Sequence, residues 1–516
     1  MTSTDADVIV VGAGPVGMAT ALGLAHHGVP CVLVERHAEP TAGSKAFGVW
    51  GRTLETLEAW GLAERLLAAG DPRVAVAPVA VETGEPIFTV DFSALAAESA
   101  MPGLLIIPQS ATEALLREAV AESPLVRVVH GEVTEVRQDD AAVAVAVASP
   151  DGDWTTLRAP YAVGADGSRS IVRESQGVRH RGRILDADLL VFDVDVPDDG
   201  DLPPVRLVAE RPGLLAGLRF APGRWRVLAS LEALTSPATT ATDGPPPRKP
   251  DLPIDVLEEL AREVLGPREA HVTWQSRTTL YQQRVPGFRL GRRIVLAGDS
   301  AHLVSPAGGQ GMNQGIQDAE NLAWSLAAAL RAGAAGDRAA ADAMLDGYAR
   351  EREKVADVVA RRARLNSLLE FGTPPRLRRP GFLAMRTGLR LPWFRRLLTR
   401  RLSMRDLEYR SSSAARLGGG QRSGPVGRRV PDVVLPDGRR LAAALGGRAA
   451  LLAVACDPPE VPAGLVVVRV EALPLGARLY AGDVAVVRPD RHVGAVLRRP
   501  SAGELREAVG RALGAR

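Results

Sequence analysis

Of 516 residues only two are cysteine and three are lysine, and aromatic side chains make up 4%. Cys31 and Cys456 lie far apart in separate apolar runs, so they read as buried thiols. Two thiols cannot build a disulfide framework, which fits a reducing compartment. No cluster of His, Cys, Asp and Glu has metal-ligand spacing, so no metal centre is expected, and no G-x-S-x-G elbow is present. With so few lysines, the 63 basic residues are nearly all arginine, set against 60 acidic ones for a formal net charge of +3. That balance favours small anionic ligands and falls short of a nucleic-acid footprint. One uncharged run, Val8–Ala25, is nominally long enough to span a bilayer. Asp5 and Asp7 precede it in place of a basic region, and Gly12, Gly14 and Gly17 interrupt it. A signal peptide or membrane anchor is therefore not expected, and a cytoplasmic protein is. The length allows two to four domains.

What the chain does have is glycine in three informative places. "DVIVVGAGPVGMATALGLAHHGVPCVLVERH" reads strand, turn, helix, turn, strand. Gly12, Gly14 and Gly17 form G-x-G-x-x-G, with Pro15 opening the helix. The first glycine permits the tight turn, the second lets backbone approach a pyrophosphate, and the third lets helix and strand pack closely. Glu35 ends the second strand, placed to accept from the two hydroxyls of an adenosine ribose. Arg36 follows, but an acid at the strand end disfavours a 2′-phosphate, so FAD or NAD suits the site better than NADP.

The second place is "YAVGADGSRSIVRESQGV", an apolar strand followed by Asp166-Gly167 and a helix start. Alone it reads equally well as a strand before an N-capped helix. The third is "AGDSAHLVSPAGGQGMNQGIQDAENLAW". Here the strand Arg293–Ala297 ends at Gly298-Asp299, where the carboxylate can cap the turn or accept from a ribityl hydroxyl. Pro306 fixes the backbone on the way in. Gly308, Gly309 and Gly311 then leave the Met312 and Asn313 amides uncovered before a helix from about Gln314 to Leu330. Such a niche suits a planar group that turns anionic at one edge, as reduced flavin does.

In that order the three stretches resemble the fingerprints of the class A flavoprotein monooxygenases, the p-hydroxybenzoate hydroxylase-like family. The likeness covers residues 5–360 and is most specific at "PAGGQGMNQGIQDAENLAW". It looks closest to the branch that hydroxylates aromatic polyketides and other phenolic or polycyclic compounds. The resemblance implies an α/β fold: a Rossmann-like FAD-binding domain of the GR2 type, an interleaved mostly β substrate domain, a helical segment and a C-terminal thioredoxin-like domain. It implies FAD as cofactor, NADPH or NADH as electron donor, O2 as co-substrate and a flavin C4a-hydroperoxide as oxygenating species. No side chain need then act as catalyst, because the flavin carries the chemistry. Gln109, in "IIPQSATEALL", matches the residue that contacts FAD from a helix start, and Arg52 falls in the family's R-T-L-E segment. Lys45 stands where the family commonly has arginine, keeping the charge but losing the fork. Asp166 is implied to hold FAD and to serve its reduction by NAD(P)H, and His302 to be a structural group beside the flavin.

The expected organisation is residues 1–180 and 286–365 for FAD, with 76–100 contributing to the substrate layer. Residues 181–285 form that layer, 366–415 a helical segment and 416–516 the last domain. "PATTATDGPPPRKP" (Pro237–Pro250) reads as an exposed loop, and Ser411–Pro425 as a linker. Arg376–Arg405 holds ten arginines and no acid. It reads as short helices packed on the FAD domain with arginines outward, rather than as a membrane-surface or RNA-binding element. A small aromatic substrate is the expected partner, with no nucleic acid and no membrane, for a monomer or homodimer. Two alternatives stay open: Baeyer–Villiger or epoxidising chemistry on the same scaffold, and a flavoprotein that binds aromatic ligands without catalysis.

Overall fold

Short runs of β-branched and small apolar residues form the centre of a six-stranded sheet. Its order is Arg289–Leu290, Ile294–Leu296, Tyr161–Gly164, Val8–Val11, Cys31–Glu35, Val126–His130. Every pairing is parallel except the first. The central runs are mostly apolar because a parallel sheet is covered on both faces, and Val8–Val11 is buried at all four positions, whereas the edge strand Val126–His130 is partly exposed. The structure is a computed structural model that describes residues 4–37, 46–230, 239–243, 250–305, 308–409, 424–462, 464–474 and 477–513.

The helix Pro15–His26 crosses from the first strand to the second and packs against a helix that is far away in sequence, Gly311–Ala334. Small residues permit the approach: a Cβ on Gly23 would lie 2.8 Å from the Ala323 methyl. An antiparallel meander, Glu132–Gln138, Val143–Ala148 and Trp154–Ala159, adds Val133, Val136, Val143, Val145 and Leu157 to the same core. The candidate membrane run Val8–Ala25 is thus a strand, a glycine turn and most of a helix. Among the described residues no helix is long and apolar enough to cross a membrane.

A second, largely antiparallel sheet of eight strands is built on two long ones, Arg181–Asp195 and His271–Arg284. Val79–Ala80 joins it from the earlier chain, pairing with Val205–Leu207. Region 181–285 is mostly β, as expected, but it also carries a helix, Ile254–Leu265. The apolar stripe Leu257, Leu260, Ala261 and Val264 closes a core with Phe192, Val194, Trp225 and Val227. Within the expected Pro237–Pro250 loop, Thr239–Asp243 is instead a strand paired with Arg181–Leu185. Consecutive Thr and Ala tolerate an extended edge, and the rest of that stretch up to residue 249 lies outside the described residues. The two sheets meet where His302–Leu303, just past the Gly298-Asp299 turn, pairs with Gln283–Arg284.

The helix Arg338–Gly372 is followed by Pro375–Gly388 and Pro392–Leu402. The expectation of outward arginines holds for Arg376, Arg379, Arg386, Arg390, Arg396 and Arg401, which are exposed, and is corrected for Arg378 and Arg405, which are buried. Arg378 is 6% exposed and donates to the carbonyls of Arg211 and Gly213, and Arg396 and Arg400 both reach Glu98. Leu377, Leu383, Leu391, Trp393 and Leu397 are exposed beside the outward arginines. Arg378 and Arg405 turn inward because carbonyls and the Glu55 carboxylate wait there, satisfying what burial would otherwise leave unpaired.

The chain ends in a mixed four-stranded sheet of order Val466–Val470, Ala450–Val454, Asp483–Val487, Val493–Arg498. Its first pair is parallel and the others antiparallel, and the helix Ala502–Leu513 follows. Most of the expected linker, residues 411–423, lies outside the described residues. The sheet's docking includes buried charged groups. Glu55, 1% exposed, meets Arg405 at 2.8 Å, Arg491 at 3.4 Å and Arg429, which come from two different parts of the chain.

Candidate functional site

The carboxyl ends of the parallel strands open into one cavity of about 1020 Å³. The three glycine-bearing stretches all reach it: Gly12, Gly14 and Pro15 from the first, Asp166 and Gly167 from the second, Asp299, Gly309, Gly311 and Met312 from the third. Open α/β sheets bind ligands at this edge.

The local geometry accounts for each glycine. Gly12 has φ +98, and a Cβ there would lie 2.6 Å from the Ala165 carbonyl oxygen. A Cβ on Gly17 would sit 1.7 Å from the Gly12 carbonyl oxygen, so the helix rests directly on the loop. Gly14 is different. It caps the helix at φ −69, and nothing lies within 4 Å of the position its Cβ would take. Its space belongs to the cavity.

Glu35 closes the loop from the neighbouring strand, accepting the Ala13 N–H at 2.6 Å and the His37 N–H at 3.0 Å. Arg36 lines the cavity beside it. Gln109 is the first residue of the helix Gln109–Glu122 and takes the Ala46 N–H at 3.2 Å. Asp166 accepts from the Val172 N–H through Oδ2 at 3.1 Å. Its Oδ1 is buried with no partner among the described residues, and burial pushes the carboxyl above its ordinary range. A buried acceptor without a donor, on a cavity wall, is a place for a ligand's hydroxyl or amine.

The third stretch departs from its expectation in two details. Asp299 does not cap the turn but lies inside a short 3-10 turn, Gly298–Ser300, opened by Gly298 at φ +64. The following helix begins earlier than expected, at Gly311, and runs to Ala334. Its first internal donor is Gln314, to Gln310 at 2.8 Å, so the Gly311, Met312 and Asn313 amides precede the ladder. The Asn313 side chain turns away from the cavity. It holds the strand Gly48–Trp50, accepting the Trp50 N–H at 2.8 Å and donating to the Gly48 carbonyl at 3.0 Å. Two helix N-termini, at Gly14 and Gly311, therefore face one cavity, and both favour negative charge.

Lys45 and Pro306 lie outside the described residues. Arg52 is 3% exposed and pairs with Glu320, away from the cavity. His302 is buried and holds Asp318 at 2.6 Å through Nε2, in keeping with a structural group. Sequence reasoning passed over Glu113 and Arg117, which line the cavity with Gln109 at successive i+4 steps. That spacing was the available signal. It also passed over Thr278 and Tyr281, on the long strand that floors the second sheet. Burial and the charge of Asp299 push the Tyr281 hydroxyl up to about 12.

A family model described as an FAD binding domain matches residues 5–363. The chain belongs to the FAD-binding class A flavoprotein monooxygenases. It is 33% identical over 469 residues to the 12-dehydrotetracycline 5-monooxygenase/anhydrotetracycline 6-monooxygenase of Streptomyces rimosus, covering 88% of this chain and 86% of that one. Among solved structures it resembles the anhydrotetracycline hydroxylase OxyS from Streptomyces rimosus, at TM-score 0.77, 29% identity and 99% of both chains. It also resembles the Diels-Alderase PyrE3 of pyrroindomycin biosynthesis, at TM-score 0.73, 26% identity and 98% of both chains. The residues present fit FAD: the open space over Gly14, the helix start at Gly311 and Met312 on the cavity wall and the orphaned Asp166 Oδ1 each leave a place for part of it. The protein is a flavin-dependent monooxygenase with NAD(P)H as electron donor.

Proposed function

We propose that the protein hydroxylates a phenolic or polycyclic aromatic, polyketide-like substrate. The observation that carries this reading is the single cavity joining all three glycine-bearing stretches, with the second sheet over its far end. The hydroxylases of tetracycline-type compounds to which the chain is similar support the substrate class.

In this reading the Gly12–Gly17 loop and Arg36 receive the pyrophosphate, and Glu35 accepts from the adenosine ribose. Lys45 contributes a charge, Gln109 contacts FAD from its helix start, and Asp166 and Asp299 accept from its polar atoms. Pro306 and Gly309 shape the ring's niche, and the Gly311, Met312 and Asn313 amides stabilise negative charge at the ring's edge. Bound FAD supplies the redox chemistry, taking electrons from NADPH or NADH and activating O2. The chain's own part is to bind, orient and exclude water. Tyr281 stays protonated throughout the neutral range and is a neutral donor at the cavity wall. No side chain is assigned a nucleophilic or general-base role.

We read the C-terminal sheet as thioredoxin-like, because its first two strands are parallel neighbours and the next two add antiparallel on one side. Cys456 stands alone there, so no redox role is assigned to it. The paucity of cysteine supports a reducing, cytoplasmic setting, and we propose a monomer or homodimer acting on a small aromatic molecule.

The test is to incubate FAD-loaded protein with NADPH, ¹⁸O₂ and a panel of polycyclic phenols. Substrate-stimulated NADPH oxidation with one ¹⁸O atom on an aromatic carbon, located by NMR, is the expected result. Oxygen inserted beside a ketone or across an alkene would replace hydroxylation with the rival chemistries. Turnover of a polyene without oxygen uptake would align the chain with its Diels-Alderase neighbour instead.

A further inference from the structure

A chain of buried polar contacts runs from the C-terminal sheet to the cofactor cavity. Arg352, on the helix Arg338–Gly372, is 1% exposed. It donates through Nε to Asp318 Oδ1 at 2.6 Å and through Nη2 to the Gln314 carbonyl at 3.2 Å. Asp318 Oδ2 in turn accepts the Gly298 N–H at 3.0 Å and meets His302 Nε2 at 2.6 Å. Gly298 opens the turn that carries Asp299, and Gln314 sits in the first turn of the helix whose N-terminus borders the cavity. One guanidinium thus ties two cavity walls together.

The third side of Arg352 faces away from the cavity. Its Nη1 donates to the Tyr409 hydroxyl at 3.0 Å. The Tyr409 ring packs 4.2 Å from His492 and 5.1 Å beneath the Arg488 guanidinium, both contributed by the C-terminal sheet region. Arg488 also grips Glu351, the residue before Arg352, with bonds of 2.6 and 2.8 Å. Asn321, on the cavity-facing helix, donates to the same carboxylate at 2.9 Å.

We infer that the C-terminal unit is a positioning element for the cofactor site, acting through Tyr409 and Arg352 on the Gly298–Ser300 turn and the start of the Gly311–Ala334 helix. Every member is buried, so solvent cannot replace a lost contact, and a displacement at one end must be taken up by the next partner. The planar fork of arginine reaches three acceptors in fixed directions, which a lysine ammonium on a flexible stem does not reproduce. Arg352, Tyr409 and Arg488 are therefore positioning residues, none of which lines the cavity. The inference rests on reading that cavity as the FAD site.

The experiment uses the full-length protein and FAD itself. Tyr409→Phe removes one hydroxyl and keeps the ring, and Arg352→Lys keeps the charge and loses the fork. Asp432→Asn is the control: Asp432 holds Arg440 at 2.8 Å and the Ala442 N–H at 2.7 Å inside the C-terminal unit, apart from the relay. Three quantities are measured: the FAD dissociation constant by fluorescence quenching, the visible circular dichroism of bound flavin, and the thermal midpoint without FAD.

Tyr409→Phe is expected to raise the dissociation constant about 3- to 10-fold, on the scale of one buried hydrogen bond, and to alter the flavin dichroism. Arg352→Lys moves both further. Asp432→Asn lowers the midpoint yet leaves the dissociation constant within about twofold. Unchanged binding and dichroism in both relay variants would overturn the inference, as would a rise in Asp432→Asn equal to that in Tyr409→Phe. A wild-type chain that takes no FAD would remove the cofactor reading and this inference together, whereas silent variants of an FAD-binding wild type remove the inference alone.

Discussion

Gly14→Ala separates what the loop needs for folding from what it needs for its ligand. At Gly14 the backbone has φ −69 and ψ 178, ordinary for alanine, and the added methyl would meet nothing within 4 Å. The gain from a less flexible unfolded chain, about 0.4–1 kcal/mol, is set against alanine's poorer performance at a helix N-cap. The apoprotein's stability should therefore stay within about 0.5 kcal/mol of wild type. The methyl points into the cavity where a pyrophosphate would approach backbone amides. Losing one charge-assisted hydrogen bond there costs about 1.5–3 kcal/mol, roughly a 10- to 150-fold weaker FAD dissociation constant. Gly17→Ala is the companion. Its methyl would lie 1.7 Å from the Gly12 carbonyl oxygen, so the loop must shift and stability must fall. The assay pairs FAD titration by fluorescence quenching with thermal melting of the apoprotein. Gly14→Ala protein that melts normally and binds FAD within twofold of wild type would refute the placement of the phosphates over this loop.

Other expectations follow from the same geometry. Glu35→Ala removes the acceptor that holds the Ala13 and His37 amides, and should weaken FAD about tenfold or more in the same titration. Asp166→Asn keeps the shape but offers a donor on one side, so it should slow NADPH-dependent flavin bleaching, followed by stopped-flow absorbance, more than it lowers the thermal midpoint. His180 is fully buried, and burial above all lowers its imidazole to about 3, so the folded state refuses a proton that the unfolded chain takes up below the ordinary 6.5. Its contribution is intact above that value and is lost as the pH falls toward 3, reaching roughly 2 kcal/mol near pH 5. Melting curves of His180→Gln should accordingly show a flatter decline between pH 6.5 and 4. Burial alone would raise the Glu55 carboxyl, but Arg429, Arg405 and Arg491 outweigh it and hold it far below its ordinary 4.5. That stability is present above 4.5 and drains away as the pH falls below it, a lower window that Glu55→Gln should abolish.

The cofactor site was readable in the sequence because its constraints are local. Gly12 needs its positive φ for a turn between adjacent elements, and Gly17 needs to be bare because of a carbonyl five residues away. Gln109, Glu113 and Arg117 share one helix face at a spacing the sequence displays, and only the decision to follow it was missing. The arginine-rich stretch was legible only in part, for the opposite reason. Its outward charge was plain, but the partners that hold the remainder, Glu98 for Arg400 and Glu55 for Arg405, lie 302 and 350 residues earlier. Composition states how much charge a helix carries and is silent on what it faces. The same holds for Asn313, whose side chain serves the strand at Gly48–Trp50 some 263 residues before it. A motif residue can thus be claimed by the scaffold through its side chain. Substituting Asn313 would disturb that strand, which is why Gly14, whose missing side chain touches neither neighbour nor core, is the cleaner probe of the cavity's occupant.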